Sequence, residues 1–200
     1  MAKEGRDAAP GLEGIAAAAG AGKRPGAPPL DSWNPPFCGD IDLRIAADGT
    51  WLYQGSPIGR PSLVRLFASI MRKEGDRHVL VTPVEKVGIR VDDAAFVAVA
   101  MAVAEGPAGR VLSFRTNVDD VVTCDGDHPL RFVPQPGEAG TVAPYLHVRR
   151  DLWAKVARPV FYDLVALGEE REIDGAMMFG VASAGIFFPI ARADSLGEVS

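Results

Sequence analysis

Two hundred residues, 48% of them hydrophobic, allow one domain or two small ones with a sizeable core. The formal charge is −5, the pI is near 5.2 and the basic residues are scattered beside acidic ones, so the concentrated cationic face that binds phosphates is missing and a nucleic-acid partner is excluded. The two cysteines, Cys38 and Cys124, sit in no CxxC pair or ligand-spaced His pattern, which argues against zinc, while the lack of a long apolar run or signal peptide makes a soluble, cytoplasmic chain with no membrane partner the expectation.

Residues 1–30 are rich in Ala, Gly and Pro and read as a disordered arm with a short helix at 11–19 that has little to bury. Trp33-Asn34-Pro35-Pro36-Phe37 follows as an extended entry segment whose two aromatics can pin it to a sheet. In 41–45 the residues Ile41, Leu43 and Ile45 alternate with Asp42 and Arg44, the period of a half-buried strand. Asp48-Gly49 then supplies a hairpin turn, with Thr50 to Gln54 returning as far as Gly55.

Arg60-Pro61 opens a helix, since proline suits the first helical position. Leu63, Leu66, Phe67 and Ile70 lie on its apolar face, and the helix is expected to run to Gly75, with Arg72 and Lys73 at the negative end of its dipole. His78 to Val81 is a strand broken at Thr82-Pro83, and from Val84 a second strand puts Val87, Ile89 and Val91 on one face. The same period places Glu85 on that face, where an ionised carboxylate needs a partner; Thr82, Lys86 and Arg60 are the candidates. A polar pocket built on Arg60 and Glu85 is one reading of these charges, and a structural ion pair or a strand-end carboxylate is the plainer one.

Phe96 to Ala104 and Val111 to Thr116 form a hairpin around Gly106-Pro107-Ala108-Gly109, and short strands follow at 121–124 and 130–133. The intervening Asp125-Gly126-Asp127-His128 brings carboxylates and an imidazole together, but it lacks the ligand spacing of a calcium loop and reads as turn chemistry, with no metal. A second helix starts at Arg158-Pro159. It repeats the first in the pattern Arg-Pro-x-apolar-apolar-charged-Leu-apolar, with Trp153 ahead of it as Trp51 is ahead of the first. Each helix leads through a charged break into a strand pair, His78 to Val91 and Ala176 to Ile190, with Thr82 and Ser183 near the bends. An internal duplication follows from this echo. The aromatics Trp51, Tyr53, Phe67, Trp153, Phe161 and Phe179 are read as core, and no cofactor fingerprint is present.

The fold expected is α+β: two similar subdomains, each a mostly antiparallel curved sheet packed on one main helix. The divisions are an arm (1–30), an N-terminal subdomain (31–105), a C-terminal subdomain (106–191) and a tail (192–200). The segments Trp33 to Asp42, Asp48 to Trp51, Gly55 to Ile58 with Arg60, and Thr82 to Lys86 together resemble a bacterial family catalogued as domain of unknown function 1285. So do Pro144-Tyr145-Leu146 with Val148-Arg149, the Arg158 helix, and Ser183-Ala184-Gly185 with Phe187-Phe188-Pro189. The resemblance spans about 30–190. It implies a two-part α+β fold with a repeated motif and a role in ligand binding or signal transduction, and it offers no catalytic residues to carry over. Ala182 departs from the family, which commonly has tryptophan there.

Three functions are compatible with these residues. The first is a non-enzymatic binding module with a polar pocket near the two repeats, holding an anionic or zwitterionic small molecule through Arg60, Thr82, Glu85, Lys86, Arg149, Arg158 and Ser183, without a cofactor. The second is a hydrolase or transferase using Glu85 as general base. It is disfavoured because GxSxG, HExxH and a Gly-rich phosphate loop are all missing. The third is an interaction scaffold that offers its strand edges, homo-oligomerisation included.

Overall fold

The computed structural model describes residues 11–21, 28–135 and 141–196. The chain is α+β in two parts, with curved, mostly antiparallel sheets, and it divides between Asp93 and Ala94. The division expected from the sequence lies after Glu105. The strand that begins at Phe96 belongs wholly to the second unit, because its ladder partners all lie further along the chain.

In the first unit, helix α1 (Leu12–Ala21) buries Ile15 and Ala19 completely or nearly so, more than the expected arm had to offer. The disorder expected for the rest of the arm falls on 1–10 and 22–27, outside the described residues. Strands β1 (Phe37–Ile45), β2 (Trp51–Tyr53) and β3 (Ser56–Pro57) form the expected hairpin and a short third strand. Helix α2 (Pro61–Ser69) carries Phe67 inward, where its ring stacks on Trp51 with centroids 6.4 Å apart.

The helix does not reach Gly75. It stops at Ser69, and Met71–Glu74 is strand β4, so Arg72 and Lys73 are sheet residues and do not cap a helix dipole. Pairing decides this. Met71 and Lys73 stand opposite Leu80 and His78 of β5 (Arg77–Val81), and burial of Ile70 and Met71 in the sheet outweighs continued helical periodicity. Strand β6 (Lys86–Val91) pairs antiparallel with β5 and parallel with β1, giving the order β3-β2-β1-β6-β5-β4.

The second unit opens with the expected hairpin, β7 (Phe96–Gly106) and β8 (Gly109–Thr116), followed by β9 (Val121–Thr123) and β10 (Leu130–Pro134). Two further strands, β11 (Val142–Arg149) and β12 (Leu152–Val156), complete a second sheet in the order β10-β11-β12-β7-β8-β9. Helix α3 (Arg158–Ala166) buries Val160 and Leu164. The charged break after it is strand β13 (Glu169–Ile173), paired with β14 (Ala176–Ser183), which pairs in turn with β15 (Ile186–Arg192). In both units, then, one helix leads into a three-stranded meander. Of the aromatics expected in the core, Trp51 and Phe67 are buried, whereas Tyr53, Trp153, Phe161 and Phe179 are half-buried; Trp153 has the Arg131 guanidinium 3.9 Å above its ring and His147 against its edge.

Ser183 ties the last three strands to the sheet before them. Its buried hydroxyl donates to the Cys124 carbonyl at 2.6 Å and accepts from the Leu112 N–H at 2.9 Å. Ser183→Ala removes one partner from each of these buried groups, so urea unfolding should show a loss of about 1–3 kcal/mol. An unchanged midpoint would mean that water replaces the hydroxyl.

Candidate functional site

The chain at Gly39 takes a φ of +97°, a value glycine adopts without strain, and it marks a bulge. Phe37 lies opposite Lys86 and Asp40 opposite Gly88, so three steps along β1 match two along β6. Gly88 has no side chain beneath Asp40. A Cβ built there would meet the Asp40 carboxylate at 1.9 Å. In that space Asp40 accepts from Arg77 at 3.2 Å, and the Arg77 guanidinium also lies 4.9 Å above the Phe37 ring.

Asp40 and Arg77, both more than half exposed, stand at the rim of an open cavity of about 720 Å³. Glu74, Asp76, His78 and Arg90 supply its other polar groups, and Ile41, Ile89 and Val91 its apolar part. Lys86 reaches Glu74 at 2.9 Å and Arg72 binds the same carboxylate. Lys86 foremost, with Arg72, holds the Glu74 carboxyl below the usual carboxylate range despite partial burial. Arg72 also donates to the carbonyls of Leu30 and Trp33, which fastens the entry segment. Burial, and next the charge of Lys73, lower the pKa of His78, which favours the neutral imidazole in the cavity wall.

The sequence-predicted residues are dispersed. Thr82 and Glu85 share one turn, with Lys86 next as the first residue of β6, but the fully buried Thr82 hydroxyl is spent on that turn, accepting from the Val84 and Glu85 N–H groups and donating to the Glu85 carbonyl. Glu85 is half-buried in that turn ahead of β6 and is not on the strand's apolar face, because the ladder begins only at Lys86. Arg60 is exposed at the start of α2, and no bond joins it to Glu85 among the described residues.

In the second unit Arg149 pairs with Asp120 at 2.5 Å and lies 4.8 Å above the Phe96 ring, beside a cavity of about 400 Å³ that also takes in Thr123, Asp125 and His128. Asp125 accepts from the backbone of Asp127 and His128, which is turn chemistry. No group of three metal-ligating side chains occurs among the described residues. Arg158, exposed in the first turn of α3, donates to the Tyr162 hydroxyl at 2.8 Å. Ser183 is committed to the backbone as described.

The sequence reading missed Asp40, Arg77 and Gly88 as one group. A lone glycine inside the Val87-Gly88-Ile89 run was its visible signal, since such a glycine marks a close approach.

A family model described as "Domain of unknown function (DUF1285), N-terminal domain" matches residues 28–94, and its C-terminal companion, "Protein of unknown function (DUF1285), C-terminal domain", matches 95–190. This chain belongs to the DUF1285 family. A DUF1285 family protein from Silicibacter pomeroyi DSS-3, known from a crystal structure, is 50% identical, with a TM-score of 0.82 over 94% of this chain and 99% of that one. A DUF1285 family protein from Shewanella baltica OS155 is 29% identical, with a TM-score of 0.50 over 63% of this chain and 91% of that one. No curated protein matches. The boundary between the two family domains falls at residue 94/95, beside the structural division at 93/94.

Two measurements probe the site. Gly88→Ala should swing the exposed Asp40 carboxylate away from Arg77, and because that carboxylate is the free end of a flexible side chain the loss in chemical denaturation should stay within about 1 kcal/mol, the value of an exposed ion pair; Asp40→Ala in the same chain should leave no further loss. His78 ties stability to pH. Its folded pKa lies below the unfolded value of about 6.5, so as pH falls through that value the unfolded state takes up the proton first and stability drops. His78→Gln should flatten the melting temperature against pH between about 7 and 5.

Proposed function

We propose that the protein is a small-ligand-binding module of the kind that serves signal transduction, and that its ligand occupies the cavity of the N-terminal unit. The observation that carries this reading is the cavity's size together with its mixed charge. At about 720 Å³ it lies within the range of small-molecule sites. Arg77 and Arg90 line it together with Asp40, Glu74 and Asp76, and this mixture of charge suits a zwitterion whose anionic end meets the guanidinium groups and whose ammonium end meets the carboxylates. Lys86, held by Glu74, adds positive charge at its margin.

Binding without turnover is the better reading because the two hydroxyls that the sequence offers beside Glu85 as nucleophiles are engaged elsewhere. The Thr82 and Ser183 hydroxyls are buried and engaged with backbone groups, and Glu85, half-buried in a turn, has neither beside it as an unengaged partner. Both cysteines are free thiols, which suits the reducing cytoplasm. No helix among the described residues is long and apolar enough to cross a membrane.

A thermal-shift screen with amino acids, betaines and other zwitterionic metabolites tests the proposal. A ligand present at 100 times its Kd adds about 2.7 kcal/mol to the folded state and raises the melting temperature. The shift should vanish in Arg77→Ala and persist in Glu85→Gln. A shift that survives Arg77→Ala and Asp40→Ala together would place the ligand elsewhere.

A further inference from the structure

The outer edge of β7 is long, apolar and open. With eleven residues β7 is the longest described strand, and β12 accompanies it only along Phe96 to Ala98. The chain then leaves the sheet at Ala157, whose N–H still binds the Ala98 carbonyl, and enters α3 at Arg158-Pro159, so β12 cannot follow β7 further. A bulge between Ala98 and Ala100 marks the start of the open edge. Among the described residues the strand from there to Gly106 pairs with β8 alone, and alternate N–H and C=O groups point away from that partner.

The side chains along this edge match no solvent-facing pattern. Val99 is 40% exposed and Val103 49%, Ala102 and Ala104 are exposed, and no charge occurs from Phe96 to Ala104. Edge strands that face water carry lysine, proline or inward charges to deter pairing, and this one carries none of them.

The sequence of the edge also suits one particular occupant. Ala98-Val99-Ala100-Met101-Ala102-Val103-Ala104 reads identically in both directions about Met101. An antiparallel pair of identical strands related by a two-fold axis sets each residue opposite its mirror position. Centred on Met101, such a pair places Met101 against its own copy, Ala100 against Ala102 and Val99 against Val103. Small residues then meet small ones and branched ones meet branched ones. The seam brings no like charges together, although each chain carries −5. We infer that β7 is the dimer seam of this protein: a second copy adds its own β7 antiparallel across Met101, joining two six-stranded sheets into one.

Sedimentation of the full chain over a concentration series, with two variants, tests the seam. Wild type should sediment as a dimer, and Val103→Lys should weaken dimerisation at least about tenfold with unchanged circular dichroism. In a Cys38→Ser background, Met101→Cys should form an intermolecular disulfide on mild oxidation, since residues opposite each other in a ladder stand about 5 Å apart at Cα. Val121→Cys, 70% exposed on β9, should not. Should Val103→Lys fail to fold, the Met101→Cys disulfide decides alone. Wild type that stays monomeric, a dimer indifferent to Val103→Lys, or crosslinking at residue 121 and not at 101 would each overturn the inference. The last two results would mean that another surface carries the contact.

Discussion

The parallel pairing of β1 with β6 is the constraint on which the N-terminal unit depends. Parallel neighbours cannot be joined by a tight turn, so everything between them must be spent on the crossover: the β1–β2 hairpin, α2 and the β4–β5 hairpin. That crossover brings the helix back over the sheet, where Phe67 meets Trp51 and the core closes around Leu43, Ile45, Leu80 and Val87. The same ladder makes the site. Because β1 bulges at Gly39 and β6 offers Gly88, the exposed Asp40 carboxylate can lie over the glycine, a place a side chain at 88 would push it from, and there it meets Arg77. Architecture and chemistry meet in one register shift.

The two units use the same local motif and close it differently. After α2, the meander β4-β5-β6 is captured by β1 and becomes half of a six-stranded sheet. After α3, the meander β13-β14-β15 stays a separate sheet: β11, which precedes α3 as β1 precedes α2, already has β10 on the edge where β1 takes β6. Thr82 and Ser183 show the consequence. Both sit at the bend between the second and third meander strands, and both hydroxyls are buried. Thr82 satisfies its own turn, whereas Ser183 reaches across to Leu112 and Cys124 and does by side chain what the β1–β6 ladder does by backbone. Burial there also pushes the Cys124 thiol up to about 12, so it is inert as a nucleophile at neutral pH.

Charge is placed by the sheets as well. The carboxylates and guanidinium groups of the N-terminal unit are arranged in bridged sets, Arg72 and Lys86 on Glu74, and Arg44 and Arg90 on Asp92. Shared partners of this kind hold long side chains in one geometry more firmly than isolated surface pairs, whose value is about 0–1 kcal/mol. Glu74 and Arg90, which line the cavity of the N-terminal unit, are thus each tied to partners outside its lining.

Local chemistry made much of the fold legible. Period-two alternation and Asp48-Gly49 specify the first hairpin; the turn Gly106-Pro107-Ala108-Gly109 specifies the second; Arg-Pro before an apolar stripe specifies α2 and α3; and the long-range echo specifies a two-part chain. Membership of the DUF1285 family is likewise carried by motifs in the chain. Tertiary pairing decided what those signals leave open. Met71–Glu74 continues a helical pattern until β5 claims it as a strand, and Glu85 fits a strand face until the Thr82 hydroxyl folds it into a turn. The site lay beyond local reading for the same reason. Asp40, Arg77 and Gly88 are far apart along the chain, and a register shift between two strands, which no short-range pattern encodes, brings them together.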